Sequence, residues 1–310
     1  MTAQRPLPMA SDPAQDLGHG EFAFNMTDFQ GLADIVLAES GIALEAGKVQ
    51  MVYARLAKRL RRLGMTSFRR YRAFVGSEAG AAERLAMVEA LTTNVTRFFR
   101  EKHHFTHLTE HVLPELVQRA RRGERIRLWS AGCSSGEEAY SIALAILALA
   151  PDAPRMDIKI LATDINTRML ATGRAGVYPA NAGDYIDPAL RDRWMDRQTV
   201  DGEACLVVGE ALRALVAFRP ANLVDEAWPM RGPFQVIFCR NVLIYFETAT
   251  RDAVLAKLVE RLAPGGHIYV GHSERIPPGA LDLNYVGLTA YRRDPTGRTP
   301  EPPTNPTEPN

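Results

Sequence analysis

Apolar positions in the first third of the chain recur at helical spacing, and after residue 126 they fall instead into short runs alternating with longer ones. Val49, Val52, Tyr53, Leu56, Leu60 and Leu63 lie on one stripe of a helix over 49–63, and Gly64 is placed to end it. Thr27 or Asp28 is a candidate cap for an earlier helix, and further helices fit 67–75, 79–92 and 101–121. This predicts an all-α domain over 21–92, then a linker and connecting helix over 93–125. From 126 the rhythm changes. Strands fit 126–130, 158–163, 234–239 and 267–271, with helices at 137–149, 167–173 and 247–262 and a last strand at 285–292. Such alternation builds βαβ units, so the fold expected for 126–294 is α/β, a doubly wound sheet with helices on both faces. Between 176 and 220 the alternation fails. Asp201-Gly202 separates two short runs and Cys205–Val208 is strand-like, which predicts a small antiparallel β insertion.

Both ends lack periodicity. Residues 1–20 read as a flexible leader, and 295–310, rich in Pro, Thr, Glu and Asn, as a disordered tail that cannot offset its ordering entropy. The chain has 310 residues and a net charge of +1, so overall charge gives no reason to expect nucleic acid. Its three cysteines are too widely spaced for a metal pair or a disulfide framework, which suits a reducing cytoplasm. No secretory pattern opens the chain, and the longest near-apolar run, 139–150, is too short to span a bilayer.

Candidate chemistry gathers where strands are expected to end. The first strand runs into Gly132-Cys-Ser-Ser-Gly136 before a long apolar helix. Small residues there let a ligand approach the backbone and the N–H groups of the helix start. The same residues also fit G-x-S-x-G, with Ser134 as the nucleophile of an α/β-hydrolase and His267 or His272 as its base. In that fold, however, several strands precede the elbow; here a helical domain does. Asp164 ends the second strand, where a carboxylate can accept from ribose hydroxyls. Glu137 at the helix start would repel a pyrophosphate and suit a cation such as a sulfonium with an amino-acid tail. A buried strand delivers Arg240 and Asn241 to the same crevice, with Tyr245 close behind. Asn94, Thr96 and Arg100 interrupt a helical region just before the sheet, as a lid would.

The blocks TTNVTRFFRE, SAGCSSGEEAYSIA, ATDIN, FRPANL, FCRNVLIYF and LAPGGHIYVGHSE, in this order over 25–292, resemble the chemotaxis receptor methyltransferases, the CheR family. The resemblance implies a Rossmann-like class I methyltransferase domain and S-adenosylmethionine as methyl donor, with S-adenosylhomocysteine as product and no metal. It implies donor contacts from Asn94, Thr96 and Arg100, from Glu137 and Asp164, from Asn222 and Leu223 on the adenine side, and from Arg240 and Asn241. Arg100 and Tyr245 are implied to align the acceptor, a glutamate side chain in the cytoplasmic helical domain of a membrane chemoreceptor. A non-catalytic sensor of donor or product is the rival within the resemblance, and the presence of both aligning residues argues against it.

From Lys48 to Ser77 there are nine Lys or Arg and no acid. Arg55, Lys58, Arg59 and Arg62 share a face of the helix over 49–63, an expected docking surface for an acidic partner. Aromatics are not interleaved as nucleic-acid stacking would require. His103, His107 and His111 are expected on one polar helix face, not around a metal, and Cys133 and Cys239 as packing residues. Some members of the family dock a receptor's C-terminal peptide on the β insertion, by way of a glycine-containing loop. Here that loop, 196–203, has Gly202 as its one glycine, which disfavours docking. A cytoplasmic monomer with no segment inserted in the membrane is expected.

Overall fold

Asn25, not Thr27 or Asp28, starts the first helix: its side chain accepts the Asp28 N–H at 2.9 Å. Residues 20–279 and 281–296 are described by a computed structural model, and they form two compact units divided between Thr92 and Thr93. The expected leader and tail fall almost wholly outside the described residues. The first unit holds α1 (Met26–Ser40), α2 (Val49–Leu63), α3 (Phe68–Val75) and α4 (Ala81–Leu91). Gly64 closes α2 in the left-handed conformation and Ser67 caps α3. The apolar stripe read from the sequence meets Phe24, Phe29, Leu32 and Phe68 in one core, with Leu56 and Leu60 fully buried.

The basic face is less basic than its sequence. Arg59 is buried and makes a two-pronged pair with Glu83, at 2.8 and 2.5 Å, while the Tyr71 hydroxyl donates to the same carboxylate at 2.9 Å. Arg55 donates to the carbonyls of Ala90, Leu91 and Thr92, the end of α4. Both were expected at a docking surface, but internal carboxylate and carbonyl oxygens claim them. Lys58 and Arg62 remain exposed, as do Arg61, Arg69 and Arg70.

The second unit opens with one helical stretch in three parts: α5 (Lys102–His107), a π turn at Leu108–Val112, and α6 (Leu113–Arg121). There follow β1 (Ile126–Ala131), α7 (Glu137–Leu149), β2 (Ile158–Asp164), α8 (Thr167–Ala175), β3 (Val177–Pro179), α9 (Pro188–Trp194), β4 (Met195–Val200), β5 (Glu203–Val208) and α10 (Glu210–Leu215). The chain continues through β6 (Val216–Pro220), β7 (Phe234–Cys239), α11 (Thr248–Arg261), β8 (Leu262–Val270), β9 (Leu283–Gly287) and β10 (Ala290–Arg293). Seven strands form one sheet in the order β6-β2-β1-β7-β8-β10-β9, all parallel except β10. A second sheet, β3-β5-β4, is antiparallel.

The expected insertion is therefore real, but it stops short of 220, because β6 pairs with β2 at the edge of the large sheet. The last strand, expected unbroken over 285–292, is a hairpin instead, turning at Leu288 and Thr289, both with positive φ.

Successive side chains of the central strand β7 pack on opposite faces of the sheet. Val236 and Phe238 join the apolar cluster shared with Leu116, Ile142 and Leu144, whereas Ile237 and Cys239 join the cluster of Trp129, Leu255 and Leu258. Helices α6 and α7 cover one face and α11 the other, which is why β7 reads as an unbroken apolar run.

Candidate active site

Strand order reverses direction of growth between β1 and β7, and a doubly wound sheet binds its ligand beyond the carboxyl ends of the strands at that point. The loops leaving β1, β2, β6 and β7 meet there. Gly132 has a φ of 80°, and a Cβ on it would lie 2.3 Å from Val242 Cγ2, so only glycine lets the β1 and β7 loops come together. Gly136, with a φ of 96°, precedes α7, and a Cβ on it would lie 2.9 Å from Phe218 Cζ of β6.

Asp164 joins the β1 and β2 loops. One carboxylate oxygen accepts the Ser134 N–H at 2.7 Å, the other the Asn166 N–H at 2.8 Å. Its carbonyl accepts from Ala221, which places Asn222 beside the same crevice. Burial raises the Asp164 carboxyl pKa, against the lowering effect of those backbone bonds. Glu137, half-buried at the first turn of α7, accepts from the Ser135 hydroxyl at 2.7 Å, and burial raises its pKa too. No lysine or arginine figures among the charges acting on either acid. The first turn is held further by Tyr178, whose hydroxyl donates to the Ser135 carbonyl at 2.7 Å.

The segment over 94–101 lies against the β1 loop and α7. Ser134 Oγ donates to the Asn94 carbonyl at 3.3 Å and the Phe99 N–H donates to Ser141 Oγ at 2.9 Å. Phe98 is buried against Tyr178. Arg100 is half-buried and donates to the Val95 carbonyl at 2.8 Å; Thr96 lies between them in sequence.

Arg240, expected among the donor contacts, is also bound to the protein around it. Its guanidinium is almost wholly buried, pairing with Glu138 and Glu101 at 3.1 Å each and donating to the Arg100 carbonyl. Phe105 and Phe238 pack within 6 Å of it. The side chain thus braces the walls of the crevice, while its buried Nε has no hydrogen-bond partner among the described residues. Burial alone would raise the Glu101 pKa, but the Arg240 charge and hydrogen bonds from His272, Asn241 and Arg240 bring it down to about 2. Glu138 goes the other way: burial raises it, against Arg240 and the Ser130 hydroxyl. Leu223 puts its side chain into the apolar cluster of Trp129 and Trp228, and its carbonyl accepts from Lys257 at 3.1 Å. Tyr245 is half-buried in a 3-10 turn at Leu243–Tyr245.

Glu101 and Glu138 are the site residues that sequence reasoning missed. The signal was two acids within a few residues of Arg100 and Glu137, legible only once Arg240 is known to lie between them.

The hydrolase geometry is not formed. The hydrogen bond from the Ser134 hydroxyl goes to a backbone carbonyl and to no imidazole among the described residues. His272 lies by Glu101 and His267 by His107. Of the expected row of histidines, His107 and His111 are neighbours across the π turn at 5.1 Å between ring centroids, while the His103 ring meets His104 edge-on. Glu101, His103 and His104 offer atoms within 4.8 Å of one another, yet the Arg240 cation already occupies Glu101. Burial pushes the Cys133 and Cys239 thiols up, so both stay protonated packing groups.

Two acids without a cationic partner among the described residues, at the switch point of the sheet, suit a positively charged ligand; a pyrophosphate would be repelled. Comparison with known proteins agrees. Residues 27–92 match the model described as the CheR methyltransferase all-alpha domain, and 94–291 match the CheR methyltransferase SAM binding domain. A probable chemotaxis protein methyltransferase from Rhizobium etli is 46% identical over 83% of this chain and 96% of its own. Chemotaxis protein methyltransferase 2 of Pseudomonas aeruginosa is 39% identical over 91% of this chain and 98% of its own, and the Salmonella typhimurium enzyme 38% over 87% and 91%. The chain belongs to the CheR methyltransferase family and carries its S-adenosylmethionine-binding domain.

Proposed function

We propose that the protein methylates glutamate side chains of membrane chemoreceptors, giving methyl esters and S-adenosylhomocysteine. The observation that carries this reading is the pair Glu137 and Asp164, acids left without a cation in the crevice of a methyltransferase sheet. The relatives' name, chemotaxis protein methyltransferase, supports the choice of acceptor. When bound, S-adenosylmethionine supplies an electrophilic methyl group on a sulfonium.

Glu137 attracts the amino-acid end of that cation. Asp164 accepts the backbone N–H groups of Ser134, Asn166 and Ile165, and a carboxylate offers about four acceptor positions, which leaves capacity for a ribose hydroxyl. Asn94, Thr96, Asn222, the Leu223 backbone and Asn241 complete the contacts. The acceptor glutamate, with a reference pKa of about 4.3, is ionised at neutral pH. No general base is needed, which accounts for the lack of a Ser/His pair. Opposite charges cancel as the ester forms, so the site gains by excluding water and aligning oxygen, carbon and sulfur. Arg100 releases the Val95 carbonyl to orient the incoming carboxylate, and Tyr245 donates a softer hydrogen bond that leaves it nucleophilic.

Calorimetry with S-adenosylmethionine across pH tests the donor site. Because burial raises both acids, affinity falls as pH drops through mildly acidic values, before ordinary carboxylates would protonate. An affinity independent of pH down to the usual carboxylate range would contradict the roles of Glu137 and Asp164. Tyr245→Phe and Arg100→Ala each slow turnover by on the order of 10²-fold. Normal turnover by both would remove them from the mechanism.

A further inference from the structure

Glu274, in the loop after β8, is buried to 6% exposure, and its carboxylate gathers three backbone N–H groups. One oxygen accepts from Asn241 at 2.8 Å and from Gly271 at 2.6 Å; the other accepts from Ile244 at 3.1 Å. No lysine or arginine pairs with it among the described residues, so the charge rests on these amides. Asn241 has a φ of 60°, in the left-handed region that asparagine adopts more readily than other residues with a side chain. The approach is too tight for anything larger than glycine at 271, where a Cβ would stand 2.6 Å from Asn241 Nδ2 and 2.7 Å from Glu274 Oε2.

From this clamp we infer that Glu274 is a positioning residue, which fixes the turn over 241–245 and with it the Tyr245 hydroxyl. The carboxylate holds both ends of the turn, at Asn241 and Ile244, so Tyr245 cannot shift without breaking a charge-assisted bond. A glutamine there keeps one acceptor oxygen but points an N–H₂ at backbone donors, so one end of the turn comes loose. Glu274 itself reaches no reacting atom; its effect passes through Tyr245. The inference rests on the acceptor-aligning role proposed for Tyr245.

A double-mutant cycle tests it, using the full chain, S-adenosylmethionine and chemoreceptor membranes. Glu274→Gln lowers kcat on the order of 10²-fold while the protein stays folded at the assay temperature. That loss shrinks when Glu274→Gln is added to Tyr245→Phe, since the hydroxyl it positions is gone. Where the glutamine variant does not fold, Glu274→Asp, which keeps the charge and shortens the reach, takes its place with the same pattern expected. Wild-type kcat in the Glu274 variant, or losses that multiply in full, would overturn the inference. A normal rate in Tyr245→Phe alone would instead overturn the aligning role of Tyr245, so the two failures are distinguishable.

Discussion

Arg59 and Lys58 are neighbours in the sequence and opposites in the structure. Arg59 is held by Glu83 and Tyr71 in the interior, whereas Lys58 stands in solvent. A buried ion pair contributes little net stability, but losing one partner strands the other, at about 3–5 kcal/mol. Glu83→Ala therefore destabilises the helical unit by about that much in urea denaturation, while Lys58→Glu and Arg62→Glu leave stability within about 0.5 kcal/mol. Charge reversals as destabilising as Glu83→Ala would contradict this division. Glu101 gives a second residue-scale test. Its folded pKa, brought down to about 2, lies below its ordinary value of 4.5, so its stabilisation is fully present above 4.5 and is lost as pH falls toward 2. Glu101→Gln lowers stability at neutral pH and flattens the acid limb of the stability curve between those values. An acid limb unchanged by the substitution would show that Arg240 does not hold Glu101 ionised.

At the scale of elements, the turn between β1 and α7 is the part most tightly specified. Gly132→Ala sets a side chain at a φ of 80° and against Val242, with a cost of about 1–3 kcal/mol and weakened donor binding by calorimetry. A variant as stable and as tight-binding as the parent would show that the two loops need not meet so closely. The elements that could be read from the sequence are those with a strong period or a sharp stop. Helix α2 runs to Gly64 as its stripe predicts, and β7 matches its apolar run at both ends. Local competition decided the rest. Asn25 outbid Thr27 and Asp28 as a cap because its oxygen reaches the Asp28 N–H. The π turn inside 102–121 carries no sequence signal of its own. The hairpin at Leu288 and Thr289 lacks the usual Asn-Gly or Asp-Gly, so nothing marked it. The edge strand β6 looked like part of the insertion because its partner, β2, lies some fifty residues earlier.

Across the whole chain, site positions were legible as types at strand ends, but their partners were not. Arg240 was placed correctly at the end of β7, and its interior pairing with Glu101 and Glu138 depends on contacts more than 100 residues apart. Glu274 was invisible for the same reason, since its partners are backbone amides. Among the described residues no helix is long and apolar enough to cross a membrane. The exposed cations Lys58, Arg62, Arg69 and Arg70 suit an acidic receptor helix, and methylation accordingly slows as salt screens them. A rate unchanged from low to high ionic strength would assign docking to another surface.

The central claim is that a carboxylate receives the methyl group. Radiolabelled S-adenosylmethionine, the purified protein and chemoreceptor-containing membranes test it most directly. The account predicts label on the receptor that mild base releases as methanol and that disappears when the acceptor glutamates are replaced by alanine. Label that resists base, or that persists on receptors without those glutamates, would contradict it.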